Sequence, residues 1–164
     1  MTAASAIDGS TTELGGVARL DVSLVAAVDF NRISAVFGGP DAIWLGERVP
    51  DGLGGMRRYS CDLELQVSPD ARSLFRKAAI VGLGEPRRDG DIWIVPIEWF
   101  AATLAPLFPV FVGELRLQAD RIALYGTYVP PGGVIGYALD RGLLRIAARG
   151  TAKWFLRKVA SVLD

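Results

Sequence analysis

The pattern that most constrains the fold lies between Tyr125 and Asp164, where an alternating, strand-like run gives way to a helical one. The alternation stops at Pro130-Pro131-Gly132-Gly133, because prolines favour extended backbone and glycines permit a sharp change of direction. From about Val134 a stripe recurs at helical spacing. It comprises Ile135, Leu139, Leu143, Ile146, Ala147, Thr151, Phe155, Val159 and Val162. The sequence therefore predicts a long C-terminal helix directly after a strand.

Alternating runs separated by turn residues predict an antiparallel meander before that helix. Strands are expected at residues 17–30, 57–67, 74–83, 92–101, 110–117 and 121–129. In the clearest of them, Tyr59, Cys61 and Leu63 alternate with polar residues, which predicts one buried and one solvated face. Pro96 lacks an N–H within its run and predicts an edge position or a bulge.

Two short helices are expected between residues 31 and 47, separated by the Gly38-Gly39-Pro40-Asp41 break. Asn31 and Asp41 are the expected N-caps, since short polar side chains accept hydrogen bonds from the first turn. The predicted fold is therefore α+β, with a curved antiparallel sheet of six to seven strands, two short helices and one long C-terminal helix.

The length of 164 residues, 51% of them hydrophobic, fits one domain with a substantial core. Residues 1–16 are mostly small and polar and predict a flexible N-terminal arm, with a single domain at 17–164. Those first residues lack the pattern of a signal peptide. No apolar run reaches the roughly 20 residues of a membrane span. We therefore expect no membrane span and a cytoplasmic location.

The charge balance and the absence of histidine limit the kinds of binding, metal and catalytic site that this chain can form. Lys plus Arg and Asp plus Glu each total 18, so no bulk field favours nucleic acid. The chain has no histidine, the usual general base and the commonest metal ligand. Cys61 is the only cysteine, so it has neither a disulfide partner nor the thiol neighbours of a zinc site. The sequence predicts no metal and no cofactor.

Three stretches resemble a known superfamily. They are FRKAAIVGLG at residues 75–84, APLFPVFVGELR at 105–116 and GTYVPPGGVIGYALDR at 126–141. Together with the element order, they make the chain from Val17 onward resemble the helix-grip fold of the START and Bet v 1-like superfamily (SRPBCC), in a bacterial branch to which no activity is assigned. The resemblance implies a deep pocket between the concave sheet and the long helix, used across the superfamily for lipids, polyketides, hormones and similar apolar molecules. Enzymes of the superfamily commonly place His, Arg or acidic groups there, and this chain has no histidine.

The dry faces of the strands and of the long helix supply the candidate ligand-binding residues. They are Tyr59, Cys61, Lys77, Trp93, Trp99, Phe111, Tyr128, Leu139 and Leu143. Such a wall suits an apolar ligand with few polar contacts, from tyrosine hydroxyls and an indole N–H. The alternative is that these bulky residues fill an ordinary core. The predicted function is binding of a hydrophobic small molecule or lipid, with no catalytic residue assigned.

Lys77 is unusual because it shares a face of its run with Phe75, Ala79 and Val81. A buried ammonium could bind a carboxylate or carry a lowered pKa suited to amine chemistry. Alternatively, that face meets solvent or the lysine reaches an edge. A cyclase-like or isomerase-like enzyme working through Lys77, Tyr59 or Tyr128 with a bound water therefore stays open.

The long helix carries basic residues at steps of four. They are Arg141, Arg145, Arg149, Lys153 and Arg157, with Lys158 beside the last. This basic ridge could meet an acidic partner, an anionic head group or a nucleic acid backbone, or be an ordinary solvated face. No aromatic interleaving supports base stacking, so no nucleic-acid partner is predicted. A second alternative is a non-enzymatic interaction module, a homodimer that uses the ridge or the Trp-rich edge near Pro96.

Overall fold

A computed structural model describes residues 6–7, 13–14, 17–39, 44–50, 55–65, 75–102, 110–129 and 141–164. For residues 6–7, 13–14, 63–65, 75–77, 141–144 and 147 only the backbone is described. The strands are β1 (Ala6–Ile7), β2 (Glu13–Leu14), β3 (Val17–Val25), β4 (Glu47–Val49), β5 (Arg57–Leu65), β6 (Phe75–Leu83), β7 (Arg87–Asp89), β8 (Ile92–Ala101), β9 (Val110–Gln118) and β10 (Arg121–Val129). The helices are α1 (Phe30–Phe37) and α2 (Arg141–Leu163).

All of these strands belong to one antiparallel sheet. Eight of them follow the order β1-β3-β10-β9-β8-β6-β5-β4, while β2 pairs with β3 and β7 pairs with β8. Neighbours in the chain are mostly neighbours in the sheet, as in a meander, but β3 pairs with β10. The first and last long strands therefore lie side by side.

The predicted α+β class is confirmed, and the arrangement fits a helix grip overall. The six long strands are those expected from the alternation, although the first ends at Val25 rather than at residue 30. The sheet also contains four strands of two or three residues, β1, β2, β4 and β7, which are too short to show a period. Two of these, β1 and β2, come from the predicted N-terminal arm and pair with β3.

The first short helix is confirmed, with a different cap. Asp29 is the N-cap of α1, and its side chain accepts a hydrogen bond from the Asn31 N–H at 2.9 Å. Asn31 was the expected cap, but Asp29 offers its carboxylate two residues earlier. The second short helix was expected to start at Asp41, and residues 40–43 lie outside the described ones. Trp44 and Leu45, which follow, form a turn.

The helix α2 packs through a face that is displaced from the predicted stripe. Thr151, Phe155 and Val159 are buried as expected, but Ile146 is 47% exposed. The buried face also contains residues outside the stripe, namely Ala148, Ala152, Leu156 and Leu163. The small side chains of Ala148 and Ala152 allow the helix to approach the sheet closely.

The sheet curves around α2. The backbone of this helix approaches β3 and β10 on one side and β5 on the other most closely. In the sheet, β9, β8 and β6 lie between those two sides, which in a flat sheet would separate β3 from β5 by roughly 24 Å. The sheet must therefore bend, and the bend leaves a distance between its middle strands and the helix that side chains have to fill.

The strand β8 is an interior strand, which contradicts the expected edge position of Pro96. Pro96 is tolerated because the strand that pairs with β8 on this side changes from β6 to β7 at this point. The β6 pairing ends at Leu83, opposite Ile97, and β7 takes over opposite Ile94. Between these positions the Gly84 N–H donates to the Pro96 carbonyl at 2.9 Å. The missing N–H of Pro96 therefore falls at the junction of β6 and β7, outside the residues of β8 that either of these strands pairs with.

Candidate functional site

Four of the predicted site residues lie in one row across the inner face of the sheet. The row follows the strand pairing through Tyr59, Val81, Trp99, Phe111, Tyr128 and Ala18, which come from β5, β6, β8, β9, β10 and β3. All six side chains are buried. Tyr59, Trp99, Phe111 and Tyr128 were chosen from separate alternating runs, so their alignment is a property of the strand register. We call these six residues the aromatic row.

Two paired glycines make room for Phe111. Gly113 and Gly126 lie directly opposite each other on β9 and β10, on the inner face beside the aromatic row. A Cβ at Gly113 would come within 2.7 Å of the Phe111 ring, and a Cβ at Gly126 within 2.6 Å. The ring therefore lies flat over the space that two side chains would otherwise occupy. Trp99 stacks on it, with ring centroids 4.1 Å apart and planes inclined by 21°.

The rings continue from the sheet to both helices. Phe155 of α2 lies 5.9 Å from Trp99 and 6.1 Å from Trp44, measured between ring centroids. Trp44 in turn meets Phe37 of α1 edge to face at 5.6 Å. These rings connect the middle of the curved sheet to α2, and their contacts position Trp99.

The indole N–H groups of the tryptophans differ in how they are satisfied. Trp44 Nε1 donates to the Val36 carbonyl at 3.1 Å. Trp99 is 2% exposed, and its Nε1 is buried with no acceptor in the described part of the chain. Trp93 Nε1 is likewise buried and without a partner there. A buried donor without an acceptor is uncommon in folded proteins and costs about 1–3 kcal/mol.

Trp93 does not lie near the aromatic row, although it shares a face with Trp99. The two residues are six positions apart on β8, which is about 20 Å along a strand. Trp93 is opposite Leu117 of β9, at the other end of the sheet. The predicted site residues therefore do not form a single cluster, and a ligand beside Trp99 would need considerable length to reach Trp93.

Cys61 lies one row beyond Tyr59, opposite Ala79 of β6. It is a buried, free thiol. Burial raises the pKa of the Cys61 thiol from 9.0 to about 11, and the nearby Lys158 ammonium acts in the opposite direction. At neutral pH the group is a protonated, apolar part of the wall rather than a nucleophile.

Three predicted site residues are only partly described or not described. The backbone of Lys77 belongs to β6 and is paired with Leu63 of β5, which is two rows from Tyr59. The side chain of Lys77 lies outside the described residues. Leu143 belongs to α2, and its side chain also lies outside them. Leu139 precedes α2 and is not among the described residues.

Arg57 is an inner-face residue that we did not single out from the sequence. Its guanidinium is buried and donates to the Phe37 and Gly39 carbonyls at the end of α1, with Glu85 Oε1 3.7 Å away. A cation suits this place because the last carbonyls of a helix have no partner within it and carry partial negative charge. The signal was present in the sequence, since Arg57 has the same parity as Tyr59 and Cys61.

The outer face of the sheet carries ion pairs. Arg58 lies opposite Gly82, which lies opposite Glu98, and the absent side chain at Gly82 lets the two charges meet. Arg58 donates to Glu98 Oε1 from Nη2 at 2.9 Å and from Nε at 3.2 Å. Glu114 accepts from Arg116 Nε at 2.6 Å. Both glutamates therefore lie on the outer face, where each pairs with an arginine.

Two general features of the site can be stated for the described residues. They contain no group of three or more His, Cys, Asp or Glu side chains placed to hold a metal ion. Neither helix there has both the length and the apolar character needed to cross a bilayer.

A scan of known family models, a search of curated proteins and a search of solved structures each gave no match to this chain.

Proposed function

We propose that this protein binds a hydrophobic small molecule or lipid between the inner face of the sheet and α2, beside the aromatic row. The buried Trp99 Nε1–H, without an acceptor among the described residues, is the observation that carries the proposal. A bound ligand that offers an oxygen to this donor would remove the cost of leaving it unpaired. The helix-grip arrangement supports the same proposal, and we also propose membership of the START and Bet v 1-like superfamily.

The ligand class follows from the residues around that donor. The aromatic row consists of apolar and aromatic side chains without a formal charge. Arg57, the charged inner-face residue of β5, already donates to two carbonyls of α1. Among the described side chains of the aromatic row, a charged ligand group would find no countercharge to replace its lost hydration. We therefore expect a mainly apolar molecule with a neutral carbonyl, ester or ether oxygen.

Native mass spectrometry of freshly purified protein, with extraction and identification of bound molecules, tests the proposal first. A near-stoichiometric apolar adduct supports it. The second step measures thermal stabilisation by a long-chain methyl ester and by the hydrocarbon of equal length. The ester should stabilise more, because only the ester offers an oxygen to the indole N–H. Absence of an adduct together with no stabilisation by either compound would overturn the proposal.

Two matched variants assign the contact to Trp99. Trp99→Phe removes the unpaired N–H and should weaken ester binding about 5- to 10-fold, the usual worth of one hydrogen bond, with little effect on the hydrocarbon. Trp44→Phe removes an indole whose N–H already has an acceptor, so it should leave the preference for the ester unchanged. Equal loss of that preference in both variants would contradict a specific role for Trp99.

A further inference from the structure

The charges of this chain are strongly segregated although its net charge is zero. The helix α2 carries six Lys and Arg residues and no Asp or Glu between Arg141 and Leu163. Since the whole chain has 18 basic and 18 acidic residues, the remainder holds 12 basic and 18 acidic ones. The helix therefore contributes +6 and the remainder −6, a division that balanced totals conceal.

Part of this charge lies on the side of α2 that faces away from the sheet. Ile146, Lys153 and Arg157 fall within about 40° of one another around the helix axis, opposite the buried face. Ile146 is 47% exposed, Arg157 is exposed and Lys153 is half-buried. We call Ile146, Lys153 and Arg157 the outward face of α2. Trp154 and Lys158 are half-buried and border this face, with Trp154 packed against the core and Lys158 close to Cys61 of β5.

The cations of this face are not used by the fold as ion-pair partners. In the described part of the chain, the salt bridges join arginines of β5, β7 and β9 to Glu85, Glu98 and Glu114. Lys153 and Arg157 take part in none of them. The Lys158 ammonium lies 5.2 Å from the centroid of the half-buried Trp154 ring. The outward face thus combines the cations of Lys153 and Arg157 with the apolar Ile146, and the half-buried Trp154 lies at its border.

We propose that the outward face of α2 docks on an anionic lipid bilayer. Its cations would lie at the level of the headgroups, while Ile146 and the edge of Trp154 enter the interface. A partner that binds through charge alone would gain nothing from the exposed Ile146. In a bilayer, this apolar side chain can enter the boundary between headgroups and acyl chains. The net negative remainder of the chain would be repelled by the same surface, which orients the protein with α2 toward the bilayer.

Vesicle flotation at low salt tests the proposal with two lipid compositions, phosphatidylcholine alone and phosphatidylcholine with about a third phosphatidylglycerol. We expect binding to the anionic vesicles alone, and loss of binding at high salt, where charges are screened within a few ångström. Lys153→Gln combined with Arg157→Gln should weaken binding roughly 30-fold, about fivefold for each cation lost near an anionic surface. A blue shift of tryptophan emission on binding should be absent in Trp154→Phe.

The matched control is Arg87→Gln combined with Arg88→Gln, which makes the same change in net charge at two exposed residues of β7. This control should bind nearly as the unmodified protein does. Equal losses in both double variants would show that net charge alone acts and would overturn the docking face. No binding to anionic vesicles, or binding to polyglutamate in their place, would overturn the lipid assignment. None of these readouts requires an occupied ligand site, so they are independent of the proposed function.

Discussion

Arg57 and Arg58 are consecutive residues of β5, and the pleat of the strand places them on opposite faces of the sheet. Arg57 faces inward, where its guanidinium closes the end of α1 by donating to backbone carbonyls. Arg58 faces outward and joins β5 to β8 through Glu98. Polar groups on the outer face thus find side chains of opposite charge. On the inner face, Arg57 donates to backbone carbonyls and also lies 3.7 Å from Glu85, while the Trp99 N–H has no acceptor in the described part of the chain.

The largest effect should come from adding a side chain at Gly113, in the inner-face space that the Phe111 ring occupies. In Gly113→Ala the new methyl group would collide with the Tyr125 carbonyl and lie 2.7 Å from both the Gly126 Cα and the Phe111 ring. Two of these neighbours are backbone of the paired strand, so the strands must move apart. We expect a loss of about 3 kcal/mol or more in the free energy of unfolding, measured by urea denaturation.

Gly82→Ala is the matched control on the outer face. There the new methyl group would meet Glu98 Cγ at 2.7 Å, and this flexible side chain can swing away. The cost should be limited to the Arg58–Glu98 contact, about 1 kcal/mol or less. Equal destabilisation by the two glycine substitutions would show that the faces do not differ in the way described.

Removal of the inward arginine should have the next largest effect. Arg57→Met keeps a long apolar stem but leaves the Phe37 and Gly39 carbonyls without their donor. We expect a loss of about 2 kcal/mol, in line with hydrogen bonds to a charged group. Hydrogen exchange should also report faster opening at the end of α1 than in the unmodified protein. Unchanged exchange there would contradict the capping role.

Removal of the outward arginine should cost less. Arg58→Met breaks a partly exposed ion pair with Glu98 and a contact 5.1 Å from the centroid of the Phe100 ring. Such pairs contribute about 1 kcal/mol or less, and the contribution falls as salt rises. The difference between Arg57→Met and Arg58→Met, measured at low and high salt, is the direct test. A larger loss for Arg58→Met would reverse the comparison.

At neutral pH the smallest effect is that of the Cys61 thiol, whose titration changes stability only in alkali. Because burial raises the pKa of its thiol from 9.0 to about 11, the folded state holds the proton longer than the unfolded state does. This contribution to stability is complete below pH 9 and is lost as the pH rises toward 11. Cys61→Ala should therefore show a shallower fall in stability over that window. Parallel pH profiles for the two proteins would contradict the shift.

The long elements could be predicted because their patterns repeat. Each long strand alternates over nine or ten residues, and the boundaries of β8 and β10 were predicted to the residue. The short strands β4 and β7 could not be found, since three residues cannot establish a period. The buried face of α2 was misplaced because Ile146, a large apolar residue, was weighted above the small Ala148 and Ala152.

The candidate site was predictable in composition but not in geometry. Alternation placed Tyr59, Trp99, Phe111 and Tyr128 on dry faces, but only the strand register shows that they form one row. Trp93 and Trp99 are six positions apart on β8, so the sequence alone already separates them by much of the length of that strand. The space for the Phe111 ring depends on Gly113 and Gly126, which face each other on the two arms of the β9–β10 hairpin, and this pairing follows from the hairpin register rather than from the alternation within either strand.

The pairing of β3 with β10 has a consequence for how the chain reaches its fold. Ala18 pairs with Tyr128, so the inner residues of β3 gain their β10 neighbours only after most of the sequence exists. At ordinary rates of translation this interval is roughly 5 to 20 seconds. Contacts between such distant segments form slowly, because a long loop must close before they stabilise anything. Leu20, Val22 and Leu24 therefore lack their β10 partners during most of synthesis, and we expect the sheet to be completed only once residue 129 has left the ribosome.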